Sequence, residues 1–213
     1  FEPGLNPNVT KVRKDWTEYL DNVLASGHGS VLEHATFTFA IEGVTRVFTA
    51  EMNRHRAGVA ISEGSLRYIR FDDVPWWMPF LFRAQPDDNP DLADRKARTR
   101  AIFAEVFEFC EAKYKELCTI WDIEHEPNFA WKKVLTSAFR RIIPMGCSTG
   151  GVWTLNARAA RHIFALRGTE HAEEEIAYTM GLATKMMVES EPRLFGDFFQ
   201  DEHGFWRPKY AKV

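Results

Sequence analysis

The sequence lacks several features that would place it in a broad class at once. Its three cysteines, Cys110, Cys118 and Cys147, are too few and too scattered for a disulfide framework, and none forms a CxxC pair. No apolar run approaches the roughly 18 to 20 residues that span a bilayer, and residues 1–3 do not begin a signal peptide. We therefore expect a protein of the reducing cytoplasm with no membrane partner.

A large excess of charge of one sign is also absent, since the formal net charge is −3. This balance argues against a general nucleic-acid binder. Residues 146–151 are rich in glycine but have no Lys-Ser/Thr sequel, so the sequence predicts a turn there rather than a phosphate loop. His171 and Glu175 lie one helical turn apart without an HExxH pattern, and we expect no metal site.

The chain has 213 residues, of which 45% are hydrophobic, so it is long enough for one core, and we predict a single domain over residues 1–213. Apolar spacing predicts helices over residues 15–25, 44–56, 91–121, 131–143, 156–166 and 170–188. We predict strands over 34–41 and 66–71, a turn at 42–43, an irregular segment over 57–65 and an ordered loop over 72–90. This order predicts an α+β fold, a small, mostly antiparallel sheet flanked by several helices.

A cationic Arg-His-Arg motif occupies residues 54–56, at the end of a predicted helix. By itself, such a motif is most simply a set of charges placed favourably near the negative pole of the helix. Glu63, Ser65 and Arg67 follow within one short segment. A guanidinium fork and a hydroxyl match the oxygens of a phosphate, and a carboxylate accepts from a sugar hydroxyl or a ring N–H. The combination indicates a nucleotide site.

The spacing RHR, a short segment and then ExSxRY resembles the signature of flavin-dependent thymidylate synthases. Two further stretches are similar to that family, namely GHGSVLEH before a Phe-Thr-Phe strand (residues 27–39) and NAR followed by a histidine and an arginine (residues 156–167). The likeness runs from about residue 16 to residue 176, with a weaker match over 72–134. It implies that family's fold and C5 methylation of a uracil nucleotide with FAD, NADPH and methylenetetrahydrofolate.

The resemblance also implies roles for individual residues. It implies contacts with FAD from His28, Ser30, Arg54, His55, Arg56, Glu63, Asn156, Arg158 and His162. It implies contacts with the nucleotide from Arg54, Glu63, Ser65, Arg67, Arg140 and Arg167. We assign Ser65 to phosphate binding rather than to nucleophilic attack, because no His–Asp pair that would activate it is evident. The implied partners are dUMP or UMP, the folate and three further copies of the chain in a homotetramer with active sites between subunits, and no nucleic acid is among them.

The chain departs from the family pattern at several positions. It has one residue more than usual between Arg56 and Ser65, and His162 stands where an asparagine is usual. Glu51 replaces a glutamine and would bring a negative charge near the nucleotide unless its side chain turns away. The longer segment would make room for a 2′-hydroxyl, so dUMP and UMP both stay open as substrates, the latter as in the family branch of nucleoside-antibiotic pathways.

Two further functions stay open at this stage. One is a pseudo-enzyme that binds flavin and nucleotide without turnover, since the altered segment lies beside the predicted site. The other is an RNA-binding or regulatory module that uses the Arg-His-Arg helix end, although the charge balance and the many predicted helices argue against it.

Arg167 is the predicted catalytic residue. A fixed cation beside the uracil ring would stabilise negative charge on N3 and O2, which makes C5 a better carbon nucleophile. We expect Arg167→Ala to lower turnover on the order of 10²-fold or more, as for other preorganised charge stabilisers. Steady-state product formation measures the turnover of this variant, and a near-normal rate would contradict the catalytic role of Arg167.

Overall fold

The computed structural model of the protein describes residues 7–8 and 15–213. The interpretation of residues 1–3 as no signal peptide therefore lies outside the described residues. Helices cover α1 (Trp16–Ala25), α2 (Arg46–Met52), α3 (Pro90–Ile120), α4 (Phe129–Phe139), α5 (Ala157–Arg167), α6 (Glu174–Ser190) and α7 (Pro192–Phe195). Short 3-10 turns cover Gly29–His34, Phe80–Phe82 and Arg140–Ile142.

Two small sheets accompany these helices. β1 (Thr36–Thr45), β2 (Val59–Glu63) and β3 (Ser148–Asn156) form one sheet in the order β1-β3-β2. β4 (Phe198–Gln200) and β5 (Trp206–Pro208) form an antiparallel pair. Backbone bonds from Asn156 to Gly58 and from Gly64 to Gly150, both 2.9 Å, show that β2 and β3 also run antiparallel. The predicted α+β fold with a small antiparallel sheet is confirmed.

Asparagine and aspartate side chains explain where the predicted helices begin. The Oδ1 atom of Asp15 accepts from the backbone N–H of the second residue of α1 at 2.8 Å, and Asn89 and Asn128 cap α3 and α4 in the same way. Asn156 caps α5 by accepting from Ala159 N at 2.8 Å. Such caps satisfy N–H groups that have no partner within the helix, and each typically stabilises the helix by about 1 kcal/mol.

The region from residue 42 to residue 71 differs from the prediction. β1 continues to Thr45, so the turn predicted at 42–43 is wrong; Gly43 accommodates a φ of 71° inside the strand. The helix predicted over 44–56 is shorter, because Thr45 caps it at one end and Asn53 ends it. Residues 57–65 contain β2 rather than an irregular segment, residues 66–71 form no strand, and the turn predicted over 146–151 is partly β3.

The described residues form two compact units. Unit 1 comprises the described residues up to Phe37, together with Arg56–Val59 and Thr154–Val213, and unit 2 comprises Thr38–His55 and Ala60–Trp153. The single domain expected over residues 1–213 stays a prediction. None of the described helices combines the length and the apolar character required to cross a membrane.

Unit 2 is built around aromatic packing against α3. Tyr114 is buried and meets Phe71 edge-to-face at 6.0 Å between ring centroids, and Trp76 stacks on the buried Phe107 at 4.7 Å. Aromatic pairs in these geometries stabilise a core beyond the burial of their apolar area. This core fixes α3 and the segment that follows β2, which carries several of the predicted site residues.

Unit 1 contains a buried ion pair that holds α5 in place. The two Nη atoms of Arg161 donate to the Asp197 carboxylate at 2.6 and 2.8 Å, and Nη1 also donates to the Leu194 carbonyl at 2.6 Å. The two side chains are only 3% and 7% exposed. Because removal of one partner leaves a buried charge, a pair of this kind is costly to break, by about 3–5 kcal/mol. It therefore fixes the helix that presents Arg158, His162 and Arg167.

Candidate functional site

The Arg-His-Arg motif directly follows α2 instead of ending it. Asn53 is the C-cap of α2, and the backbone N–H of Arg54 donates to the Glu51 carbonyl at 3.4 Å. The Arg54 side chain is 72% exposed, and its Nη1 lies 3.9 Å from the Glu51 carboxylate. Glu51, the acidic departure from the family pattern, thus has a cation next to it, and its charge is partly compensated.

Glu63 is the centre of a hydrogen-bond network in unit 2. Arg46 Nη1 donates to one carboxylate oxygen, and Asn53 Nδ2 donates to the other at 2.8 Å. Arg46 Nη2 donates to the Gly64 carbonyl at 2.7 Å, and Trp153 Nε1 donates to Asn53 Oδ1 at 3.1 Å. These bonds tie both ends of α2 to the end of β2. They also fix the orientation of the carboxylate and place a cation beside it.

A cavity of about 390 Å³ opens beside this network, also in unit 2. Its lining residues are Arg46, Glu63, Gly64, Ser65, Leu66 and Arg140. Three of the predicted nucleotide ligands, Glu63, Ser65 and Arg140, thus line one cavity. Two guanidinium groups and a hydroxyl around one space suit the oxygens of a phosphate monoester.

An adjoining, more apolar cavity of about 450 Å³ shares Arg46, Gly64 and Leu66 with the first. Ile69, Val74 and other apolar side chains supply much of its wall. An apolar space with a few polar groups at one end is typical of small-molecule sites. The pair of cavities thus offers a charged end and an apolar end.

Two other predicted nucleotide ligands, Arg54 and Arg67, do not line these cavities. Arg67 is exposed, and its backbone N–H donates to Ser65 Oγ at 3.3 Å. Its carbonyl accepts from Thr136 Oγ1 of α4 at 3.0 Å. The backbone of Arg67 therefore anchors the segment that carries Ser65, close to α4, which Arg140 directly follows.

Unit 1 has a cavity of about 360 Å³ at the start of α5. Its lining residues are Glu33, Ala57, Gly58, Asn156, Arg158, Ala159, His162 and Val213. Arg158 and His162 lie one helical turn apart, and Arg158 Nη1 donates to Glu33 Oε1 at 2.6 Å. Three of the residues expected to bind FAD, Asn156, Arg158 and His162, are thus brought together.

The donor set of this cavity fits the anionic part of a flavin nucleotide. A helix N-terminus carries partial positive charge, and an arginine and a histidine beside it add further donors. The volume is near the lower end of ligand pockets, about 300–1,000 Å³, so this cavity accommodates part of a dinucleotide.

The remaining predicted residues of unit 1 do not line this cavity. His28 and Ser30 are exposed on either side of Gly29, which packs so closely that a Cβ there would lie 2.7 Å from Arg158 Nε. Arg167, the last residue of α5, is half-buried. It lies nine positions after Arg158, which is about 13 Å along the helix axis.

Arg46 is a lining residue that none of the sequence motifs indicates. This residue begins α2 and lines both cavities of unit 2. It lies 17 positions before its partner Glu63 and belongs to none of the motifs. The available signal was a single charged residue within an apolar stretch, next to Val47 and Phe48.

The described residues include one possible metal cluster, and one of the three cysteines is fully buried. The oxygens of Asp72, Asp73 and Glu111 lie close together, but Lys115 binds two of these groups at 2.7 Å and lowers the pKa of Glu111. Cys147 is fully buried, and desolvation raises the pKa of its thiol, which disfavours the reactive thiolate.

Comparison with known proteins gives consistent matches. The profile of the family described as "Thymidylate synthase complementing protein" matches residues 5–193. A "Flavin-dependent thymidylate synthase" of Mycobacteroides abscessus is 36% identical over 185 residues, which is 84% of this chain and 68% of the relative. Proteins with the same name from Corynebacterium diphtheriae and Clostridium tetani are 32% and 30% identical, over 93% and 88% of this chain and 74% of each relative.

The close approach of Gly58 to Asn156 generates a prediction about the cavity of unit 1. Gly58 has a φ of 70°, and a Cβ there would lie 2.5 Å from Asn156 Nδ2, whereas Gly204 has a φ of 84° and open space around it. We expect Gly204→Ala to lower the free energy of unfolding by about 1–2 kcal/mol through its backbone alone. Gly58→Ala should cost about 1 kcal/mol more, because Asn156 must move and its cap on α5 weakens. Urea unfolding measures the free energy of unfolding of both variants. An equal loss in the two would contradict the close contact between Gly58 and Asn156.

Proposed function

Because the chain belongs to the thymidylate synthase complementing protein family, whose curated relatives named above are flavin-dependent thymidylate synthases, we propose that it methylates C5 of a uracil nucleotide. Membership of the family confirms the resemblance drawn from the Arg-His-Arg and ExSxRY motifs. The observation that carries the proposal is the cavity in which Ser65 and Arg140 lie together with Glu63.

The cavity with Ser65 and Arg140 holds the nucleotide phosphate in this proposal. Arg140 supplies a guanidinium fork, and the Ser65 hydroxyl, which already accepts from Arg67 N, keeps its proton for donation to a phosphate oxygen. The Glu63 carboxylate accepts from a sugar hydroxyl or from the ring N–H. The apolar cavity next to it has room for the less polar part of a bound molecule.

The cavity at the start of α5 holds part of FAD in this proposal. Arg158, His162 and the helix N-terminus bind its anionic portion, while Glu33 restricts the orientation of Arg158. When bound, FAD supplies the redox chemistry, with NADPH as electron donor and methylenetetrahydrofolate as carbon donor. The protein binds and orients the reactants and polarises the uracil ring.

Arg167 acts on the uracil ring in this proposal. Its cation stabilises negative charge on N3 and O2 and so activates C5 as a nucleophile. Such activation needs no cysteine, which agrees with the burial of Cys147 and the raised pKa of its thiol.

The choice between dUMP and UMP depends on the segment between Arg56 and Ser65. Gly58 pairs with Asn156 and Gly64 pairs with Gly150. The two strands therefore have the same number of residues between these two bonds. The extra residue relative to the family pattern is therefore not a bulge within this ladder. A pocket that merely tolerates an added hydroxyl discriminates weakly, and for this reason we propose activity towards both nucleotides.

We propose a cytoplasmic homotetramer with active sites between subunits. An exposed apolar stripe on α6 supports a subunit contact, since Tyr178, Leu182 and Met186 lie one turn apart and are 50%, 48% and 60% exposed.

Mass spectrometry of the product tests the proposed function. The purified protein receives FAD, NADPH and methylenetetrahydrofolate, with dUMP and UMP in parallel tubes, and we expect a C5-methylated product from both. Product from dUMP alone would limit the activity to thymidylate synthesis.

Retained flavin without product from either nucleotide would contradict the proposal and indicate a pseudo-enzyme. Salt-sensitive RNA binding without flavin would indicate the RNA-binding alternative instead.

A further inference from the structure

We propose that Arg46 is a positioning residue for the nucleotide site, which compensates the charge of Glu63 and thereby lets the neighbouring cavity accept a phosphate. The inference rests on the proposed function of that cavity. It goes beyond the family motifs, because Arg46 lies outside all of them.

The position of Arg46 is fixed from several sides. Its backbone N–H donates to the Met145 carbonyl at 3.0 Å, and its two Nη atoms donate to Glu63 and to the Gly64 carbonyl. The side chains of Arg46 and Glu63 are 21% and 20% exposed. In this partly desolvated setting the ion pair is stronger than an exposed one, and the guanidinium holds the carboxylate in one orientation.

Charge explains why the cavity needs this cation. Glu63 and Arg140 line the same cavity, so without Arg46 their charges cancel. A phosphate monoester would then meet an uncompensated carboxylate beside its binding groups. With Arg46 present, the lining carries one net positive charge, and the phosphate is attracted rather than repelled.

Arg46 acts through Glu63 rather than as the main phosphate ligand. Both of its Nη atoms already donate to protein oxygens. Its Nε is buried and has no hydrogen-bond partner. One N–H of each Nη atom is therefore committed to the protein and the Nε N–H is buried, whereas Arg140 is exposed and lines the same cavity.

A purely structural role for Arg46 makes different predictions from charge compensation. If the bonds to Glu63 and Gly64 only hold β2 in place, every change that breaks them impairs the site. If the charge of Arg46 matters, replacement of both Arg46 and Glu63 by neutral residues restores the net positive charge of the cavity lining. Substitution of buried pairs by neutral side chains of similar shape is often tolerated.

Calorimetric titration of dUMP and UMP into the full-length protein tests the inference. We expect Arg46→Met to weaken binding of the accepted nucleotide on the order of tenfold or more, and Arg46→Lys to stay within about threefold. The double variant Arg46→Met/Glu63→Gln should bind at least about threefold more tightly than Arg46→Met, because Arg140 then faces no uncompensated carboxylate. Arg98→Met is the matched control, since Arg98 is 78% exposed and lies 3.7 Å from Asp94.

The outcomes separate the inference from the proposed function. Unchanged affinity in Arg46→Met, or a double variant as weak as Arg46→Met, would overturn the inference alone. A wild-type protein that binds neither nucleotide would overturn the proposed function and the inference with it. If Arg46→Met does not fold, as judged by circular dichroism, then Arg46→Lys and the double variant decide, and both must bind for the inference to stand.

Discussion

The bond between Arg46 and Glu63 is the interaction on which the proposed nucleotide site depends. It places a cation beside a partly buried carboxylate at the end of β2, and Asn53 and Trp153 extend it into a network. Without compensation the carboxylate would oppose an anionic substrate. With it, the cavity that carries Ser65 and Arg140 keeps a net positive charge, as a phosphate site requires.

The proposed flavin site lies at the start of one helix. Asn156 caps α5 with its side-chain oxygen and lies against Gly58, while Arg158 and His162 project from the next turns into the cavity. The cap, the glycine and the helix N-terminus thus shape the cavity that we propose for part of FAD. The buried pair of Arg161 and Asp197 holds the same helix in place.

Much of this arrangement could be predicted from the sequence, and the failures have physical causes. Helices α3 and α5 were predictable, because their apolar spacing is sustained and asparagines begin them. β2 was not, since its small and polar residues Ala60 and Ser62 give no clear alternation. A glycine after a charged residue favours a turn, but Gly43 has its positive φ inside β1. The motifs located Glu63 and Ser65, but Arg46 became visible only through a long-range contact.

The central claim is that nucleotide, folate and flavin react together on this chain. Anaerobic spectroscopy of the pre-reduced, flavin-loaded protein tests it most directly. The account predicts that the visible absorbance of oxidised flavin returns only when methylenetetrahydrofolate and dUMP or UMP are both present. Return of that absorbance without a nucleotide, or no return with all components present, would contradict the account.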